Sequence, residues 1–234
     1  MNVKIKSYCI ATASISKFSI LLPAAMTTLF DSDPNARPTP GENLLPYDGA
    51  AYLYPGVLQP AEADRYYLLL RQQAAWQADE GVLYGRPFRT ERQVAWYGDR
   101  PYSYRYAGYT HTAHNWIAPL LALKAHCESV SNSVYHACLL NLYPTGAQGM
   151  GWHADDEPEL VPQAPIAALS LGAERRFDLK HRATGYSVQL LLPPGSLLVM
   201  RGATQQHWLH RLPPTRRVHA PRISLTFRQM VAAR

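Results

Sequence analysis

The chain has 234 residues, 47% of them apolar and 17% charged, with a formal net charge of +6. That composition suits one globular domain with a real core and excludes a disordered acidic or low-complexity chain. Three cysteines, odd in number and without a CxxC pair, exclude a disulfide framework and a thiolate zinc site, and they fit a reducing, cytoplasmic setting.

Residues 1–25 loosely imitate a signal peptide, with Lys4 and Lys6 ahead of a mildly apolar stretch. Thr12, Ser14, Ser16, Lys17 and Ser19 interrupt it, and it is too short to cross a bilayer. It reads as an over-extended start or an unstructured tail, and Met26 opens a segment resembling a natural N-terminus. Residues 31–49 are rich in turn formers. AYLYPGVL at 51–58 has the composition of a strand. Pro60 then opens a helix over about 60–75, with Leu68, Leu69 and Trp76 as core candidates.

From Phe88 to Tyr109 the pattern is extended and aromatic. A second helix is expected over 116–130, where Ile117, Leu120, Leu121 and Lys124 have helical spacing. The remainder reads as short strands at 136–143, 164–172, 175–182, 186–192, 195–200 and 222–230. ATG at 183–185 and PPG at 193–195 are candidate turns. Six short strands with tight connections predict a sandwich or jelly roll.

The chemistry concentrates in this strand-rich part. His153 and Asp155 are two apart and share a face if the backbone is extended. His210, 57 residues later, can join them from another strand. Two imidazoles and one carboxylate form the facial triad of non-heme Fe(II) oxygenases, which leaves coordination positions open. His207 is a competing ligand, as are His111 and His114. In RISLTFR, Arg222, Ser224, Thr226 and Arg228 fall on one face and Ile223, Leu225 and Phe227 on the other. Two arginines inside a barrel are costly unless an anion meets them, and a bound dicarboxylate supplies one. Asn141 and Tyr143 alternate in the same way on HACLLNLY.

The charge is unevenly placed. Residues 201–234 hold seven arginines and no acid, and arginine outnumbers lysine 18 to 5. A guanidinium-rich basic chain is compatible with a nucleic-acid partner.

NLYPTGAQGMGWHADDEPEL, SLGAERRF, GATQQHWLH and APRISLTFR, taken in order, resemble the AlkB family of Fe(II)- and 2-oxoglutarate-dependent nucleic-acid repair dioxygenases. RQVAWYGDRPYSYRYAG extends the likeness, which runs from about residue 86 to 230. The resemblance implies a mainly β double-stranded β-helix (jelly roll) core with flanking helices and an N-terminal nucleotide-recognition extension. Residues 41–234 would form the dioxygenase domain, with the recognition region near 80–110 and the β-helix core near 134–230. Nothing recognisable covers residues 1–40.

It further implies iron held by His153, Asp155 and His210. Asn141, Tyr143, Arg222, Ser224, Thr226 and Arg228 would contact 2-oxoglutarate. Family members often carry Asn where Ser224 stands, so that contact departs from the pattern. Tyr104 and Tyr106 lie where the family places its base-contacting aromatics. Asp156 and Glu157 would face a cationic lesion such as 1-methyladenine or 3-methylcytosine, with Arg92, Arg86 and Arg89 near the lesion or its phosphates. The implied activity is oxidative dealkylation of damaged bases, yielding succinate, CO2 and formaldehyde, by a monomer with no membrane partner. The substrate would be single- or double-stranded DNA, with RNA a further candidate. Two other readings stay open: a 2-oxoglutarate dioxygenase acting on protein or a small molecule, and a metal-free nucleic-acid-binding module.

Overall fold

The computed structural model describes residues 39–83, 86–106 and 109–232, all within one compact unit, Arg37–Arg234. The reading of residues 1–40 therefore falls almost wholly outside the described residues. The elements in chain order are β1 (Ala50–Tyr54), α1 (Pro60–Gln73), β2 (Gln77–Leu83), β3 (Arg86–Gly98), β4 (Ser103–Tyr106), β5 (Tyr109–Thr112) and β6 (His114–Asn115). Then come α2 (Ala118–Ser131), β7 (Ala137–Tyr143), β8 (Met150–His153), β9 (Ile166–Gly172), β10 (Arg175–His181), β11 (Ser187–Leu192) and β12 (Leu197–Arg201). The single-turn α3 (Thr204–His207), β13 (Trp208–Leu212) and β14 (Arg222–Arg228) complete the unit.

The strands make a large sheet in the order β1-β12-β9-β14-β7-β3-β2, with β6 beside β3, and a small one in the order β11-β10-β13-β8. Period-2 alternation sorts their side chains into two cores. Ile223, Leu225 and Phe227 of β14, with Leu140 of β7 and Leu169 of β9, pack with Tyr66 and Leu70 of α1 and Leu120 and Leu123 of α2. On the opposite face Ala168, Leu198 and Met200 of the large sheet meet Phe177, Leu190 and Trp208 of the small one. Two sheets facing each other, with helices behind the larger, form the expected jelly roll.

Local chemistry explains the boundaries. Prolines in the first turns of α1 and α2 cost no hydrogen bond there. Asn132 caps α2 in the left-handed region at φ 48°. The strand expected over 51–58 stops at Tyr54, because Pro55 lacks an N–H and Gly56 turns at φ 70°. Gly185, at φ 73°, makes the expected turn between β10 and β11. At the PPG turn, Gly195 meets the Leu58 carbonyl so closely that a Cβ has no room.

One core assignment is corrected. Leu68 is 59% exposed; the buried stripe of α1 is Ala63, Tyr66 and Leu70. Two residues past Tyr66 on a helix means about 200° around it, on the solvent side. Trp76 does pack against the helix-side core, and its indole N–H donates to the Leu70 carbonyl at 3.1 Å.

Candidate metal and co-substrate site

The small sheet brings the two histidines together. His210, in the middle of β13, is the register partner of His153 at the end of β8. Their rings lie 4.2 Å apart at 60°. Asp155 comes two residues after β8 ends, and its Oδ1 is 3.9 Å from His153 Nε2. One ligand atom from each of the three residues lies within 4.8 Å of the others. His153 Nδ1 is 2.8 Å from the Gly151 carbonyl. A carbonyl only accepts, so Nδ1 carries the proton and Nε2 keeps a lone pair for a metal. Phe177 stacks on His210 at 5.4 Å, and Gln205 of α3 accepts the Asp155 backbone N–H at 3.0 Å.

The electrostatics suit a cation. Burial alone would raise the Asp155 carboxyl, but the Arg228 guanidinium and the two imidazoles outweigh it and hold the carboxyl below its ordinary range. Arg228 Nη2 lies 2.8 Å from Asp155 Oδ1, and Nη1 lies 3.8 Å from Glu157. Burial pushes His210 down to about 3, against the pull of Asp155. It therefore stands neutral at physiological pH, as a metal ligand must.

A cavity of about 260 Å³ opens between the sheets, bordered by the triad and by Asn141, Tyr143, Arg222, Ser224, Thr226 and Arg228. Arg222 is 2% exposed. It donates to the Ser170 hydroxyl at 2.9 Å and lies 5.8 Å over the Tyr143 ring. Its Nε has no hydrogen-bond partner, and no acid among the described residues pairs with it. Burial pulls its pKa down to about 10, so it stays cationic. A buried cation with an orphaned donor at the wall of a cavity fits a carboxylate ligand. The donor set fits iron, and this half of the cavity fits a dicarboxylate.

The substrate-side residues are less uniformly placed. Arg92 and Glu157 border the cavity. Asp156 does not: it is exposed and pairs with Arg182 at 3.5 Å. Alternation past Asp155 turns it outward, so the cationic-lesion role assigned to it does not fit its position. Arg86 and Arg89 are exposed, and Arg89 pairs with Glu80 at 3.8 Å. The side chains of Tyr104, Tyr106 and His111 lie outside the described residues. His114 is exposed on β6 and borders the cavity. Sequence reasoning gave no role to Ser170 and Phe177, although they begin and end the SLGAERRF segment, or to Gln205 within GATQQHWLH; it also missed Asp79, which lies in no motif.

Asp48, His181 and His207 form a second cluster with ligand-like spacing. The Thr184 N–H donates to His181 Nδ1 at 3.1 Å, so the neutral ring carries its proton on Nε2 and donates it to Asp48 at 3.2 Å. That tautomer leaves no lone pair facing Asp48, and the cluster is a hydrogen-bonded tether. His207 is exposed and stacks on His181 at 6.1 Å, away from the triad.

The sequence pattern of the 2OG-Fe(II) oxygenase superfamily matches residues 50–228, and the chain belongs to that family and to its AlkB homologues, with Fe(II) as cofactor and 2-oxoglutarate as co-substrate. Among its relatives, mouse "DNA oxidative demethylase ALKBH2" is 34% identical over 195 residues, covering 79% of this chain and 82% of that one. Human "Alpha-ketoglutarate-dependent dioxygenase alkB homolog 3" is 35% identical over 185 residues, covering 75% of this chain but only 64% of its own length. A solved structure titled "The structure of OsALKBH1" shares the fold, with a TM-score of 0.53 at 17% identity over 76% of this chain and 97% of that one. No helix among the described residues is long and apolar enough to cross a membrane.

Proposed function

We propose that this protein removes alkyl groups oxidatively from damaged nucleobases such as 1-methyladenine and 3-methylcytosine in DNA, with RNA as a second substrate. The observation that carries the reading is a single cavity holding both the His153–Asp155–His210 triad and the buried, acid-free Arg222. The relatives named as DNA oxidative demethylases and the net charge of +6 support a nucleic-acid substrate.

When bound, Fe(II) and 2-oxoglutarate would supply, with O2, an oxidation that converts 2-oxoglutarate to succinate and CO2 and hydroxylates the alkyl carbon, the hydroxymethyl group then leaving as formaldehyde to restore the base. The residues supply position. His153 and His210 present imidazole nitrogens and Asp155 a carboxylate, fixed by Gly151, Phe177 and Arg228. Arg222, steadied by Ser170, would hold the distal carboxylate, and Tyr143, Asn141 and Thr226 border the same cavity. His153 is 37% exposed at its side chain, and this open face is available to a base flipped out of its stack. Glu157, bordering the cavity, takes over from Asp156 as the acid nearest a cationic lesion.

The test is formaldehyde release from oligonucleotides carrying single defined lesions, with Fe(II) and 2-oxoglutarate supplied. Lesion-dependent succinate and formaldehyde are expected. Succinate formation that responds to a protein or small molecule and never to damaged oligonucleotide would overturn the reading.

A further inference from the structure

The strand that carries His153 stands at the edge of the small sheet, with β13 as its neighbour. It pairs there at two positions, His153 with His210 and Met150 with Leu212, and the register breaks between them. Gly151 and Trp152 therefore oppose Arg211 alone, which makes a bulge. The extra residue has a chemical result. Met150 and His153 are three apart and would face opposite sides of a regular strand, yet both border the cavity. The bulge is what aims the His153 imidazole inward.

A bulge interrupts the ladder at its own residues, so side chains must hold it in place. The Gly151 carbonyl accepts the His153 Nδ1–H at 2.8 Å, which fixes the ring relative to the bulge. Trp152 is half-buried and meets two cations. The Arg211 guanidinium lies 4.4 Å from its ring centroid and the Lys180 ammonium 4.6 Å. Indole is the side chain that attracts a cation to its face most strongly. Both cations alternate with residues that face inward, His210 beside Arg211 and Leu179 beside Lys180. The three side chains therefore meet on the outer face of the sheet, behind the triad.

Arg211 is itself anchored. Its Nε donates to Asp178 Oδ2 at 2.8 Å, and Asp178 is 1% exposed and also accepts from Arg176 at 2.6 and 3.0 Å. Asp178 belongs to β10, an inner strand paired with β11 on one side and β13 on the other. A line of contacts thus runs from the middle of the sheet through Asp178, Arg211 and Trp152 to the bulge beside His153. We propose that Trp152, clamped by Arg211 and Lys180, is a positioning residue for His153. It pins the bulge that aims the imidazole and so sets metal affinity from outside the cavity. The proposal rests on His153, Asp155 and His210 as the ligands, and it is independent of the substrate.

Titrating metal-free protein with Co(II) tests it, because the visible absorption of bound cobalt reports both affinity and ligand geometry. Trp152→Ala should weaken Co(II) binding about tenfold or more, the cost of removing a contact that orients a ligand, and should shift the absorption bands. Trp152→Phe keeps an aromatic face for the two cations and should return both readings toward wild type. Should Trp152→Ala fail to fold, Arg211→Met/Lys180→Met leaves the indole in place, removes both cations and must show the same weakening.

A purely structural role would lower the melting temperature of the metal-free protein and leave the Co(II) Kd and spectrum of the folded variants at wild-type values; that result overturns the proposal. His153→Ala is titrated alongside. Wild-type Co(II) binding in that variant overturns the ligand assignment and the proposal with it. Weakened binding there, together with wild-type binding in Trp152→Ala, overturns the proposal alone.

Discussion

Arg228 donates to the carboxylate of Asp155, 2.8 Å from Nη2 to Oδ1, while Arg222, six residues earlier on the same face of β14, has no acid partner among the described residues. One strand thus carries two buried cations with different duties. On the function proposed above, Arg228 balances the charge of a metal ligand, and Arg222 awaits an anion.

Removing Arg228 should change how metal retention depends on pH. Without the guanidinium, burial raises the Asp155 carboxyl, which today is held below its ordinary range. Protons then compete with the metal at higher pH. In Arg228→Met the midpoint of metal loss on acidification should move upward, measured by titrating metal-loaded protein and assaying bound iron. An unmoved midpoint would show that the ion pair does not tune this ligand.

Arg222→Ala should leave metal content near wild type and raise the 2-oxoglutarate requirement by orders of magnitude. Taking one partner from a buried charge pair costs about 3–5 kcal/mol. Direct 2-oxoglutarate binding to the metal-loaded protein checks this, and unchanged affinity would remove the co-substrate assignment.

His210→Ala should lose iron, since one of three protein ligands is gone. His207→Ala should keep it, because His207 is exposed and faces His181. Metal analysis of the two purified variants separates them, and the reverse outcome would move the site.

Stability should decline in alkali. Burial pushes the Tyr135 phenol up to about 12, with the Ser131 hydroxyl it donates to opposing the shift. The Cys127 and Cys138 thiols are also raised by burial. Each group keeps its proton in the fold after the unfolded chain has lost it, so the stabilisation is complete below the unfolded pKa and disappears as pH rises through the folded one. For Tyr135 that window runs from 10 to about 12. Denaturant melts across it should show Tyr135→Phe with a shallower decline than wild type.

Much of this was legible in the sequence because it rests on short-period patterns. RISLTFR separates its arginines from its core residues by strict alternation, and its structure follows. What alternation cannot show is where a hairpin slips. Asp79 sits in QADEGVL, which has no apolar periodicity, and its partner Arg92 is reached only through a register break. Asp156 looked like a substrate carboxylate because it adjoins Asp155. The chain direction past β8 gives it to Arg182 instead. Leu68 looked like core because it is leucine, and the helix phase set by Tyr66 and Leu70 points it outward.

The placement of β14 has a bearing on biosynthesis. It lies between β9 and β7, both translated earlier, and hydrogen-bonds to each along its length. Until it inserts, two strands hold open backbone edges toward a gap, the condition under which β proteins aggregate. A translation product ending before Arg222 would be unable to close its large sheet and would lack both arginines that border the cavity. Quality control that detects the open edge would therefore also remove molecules whose cavity is incomplete.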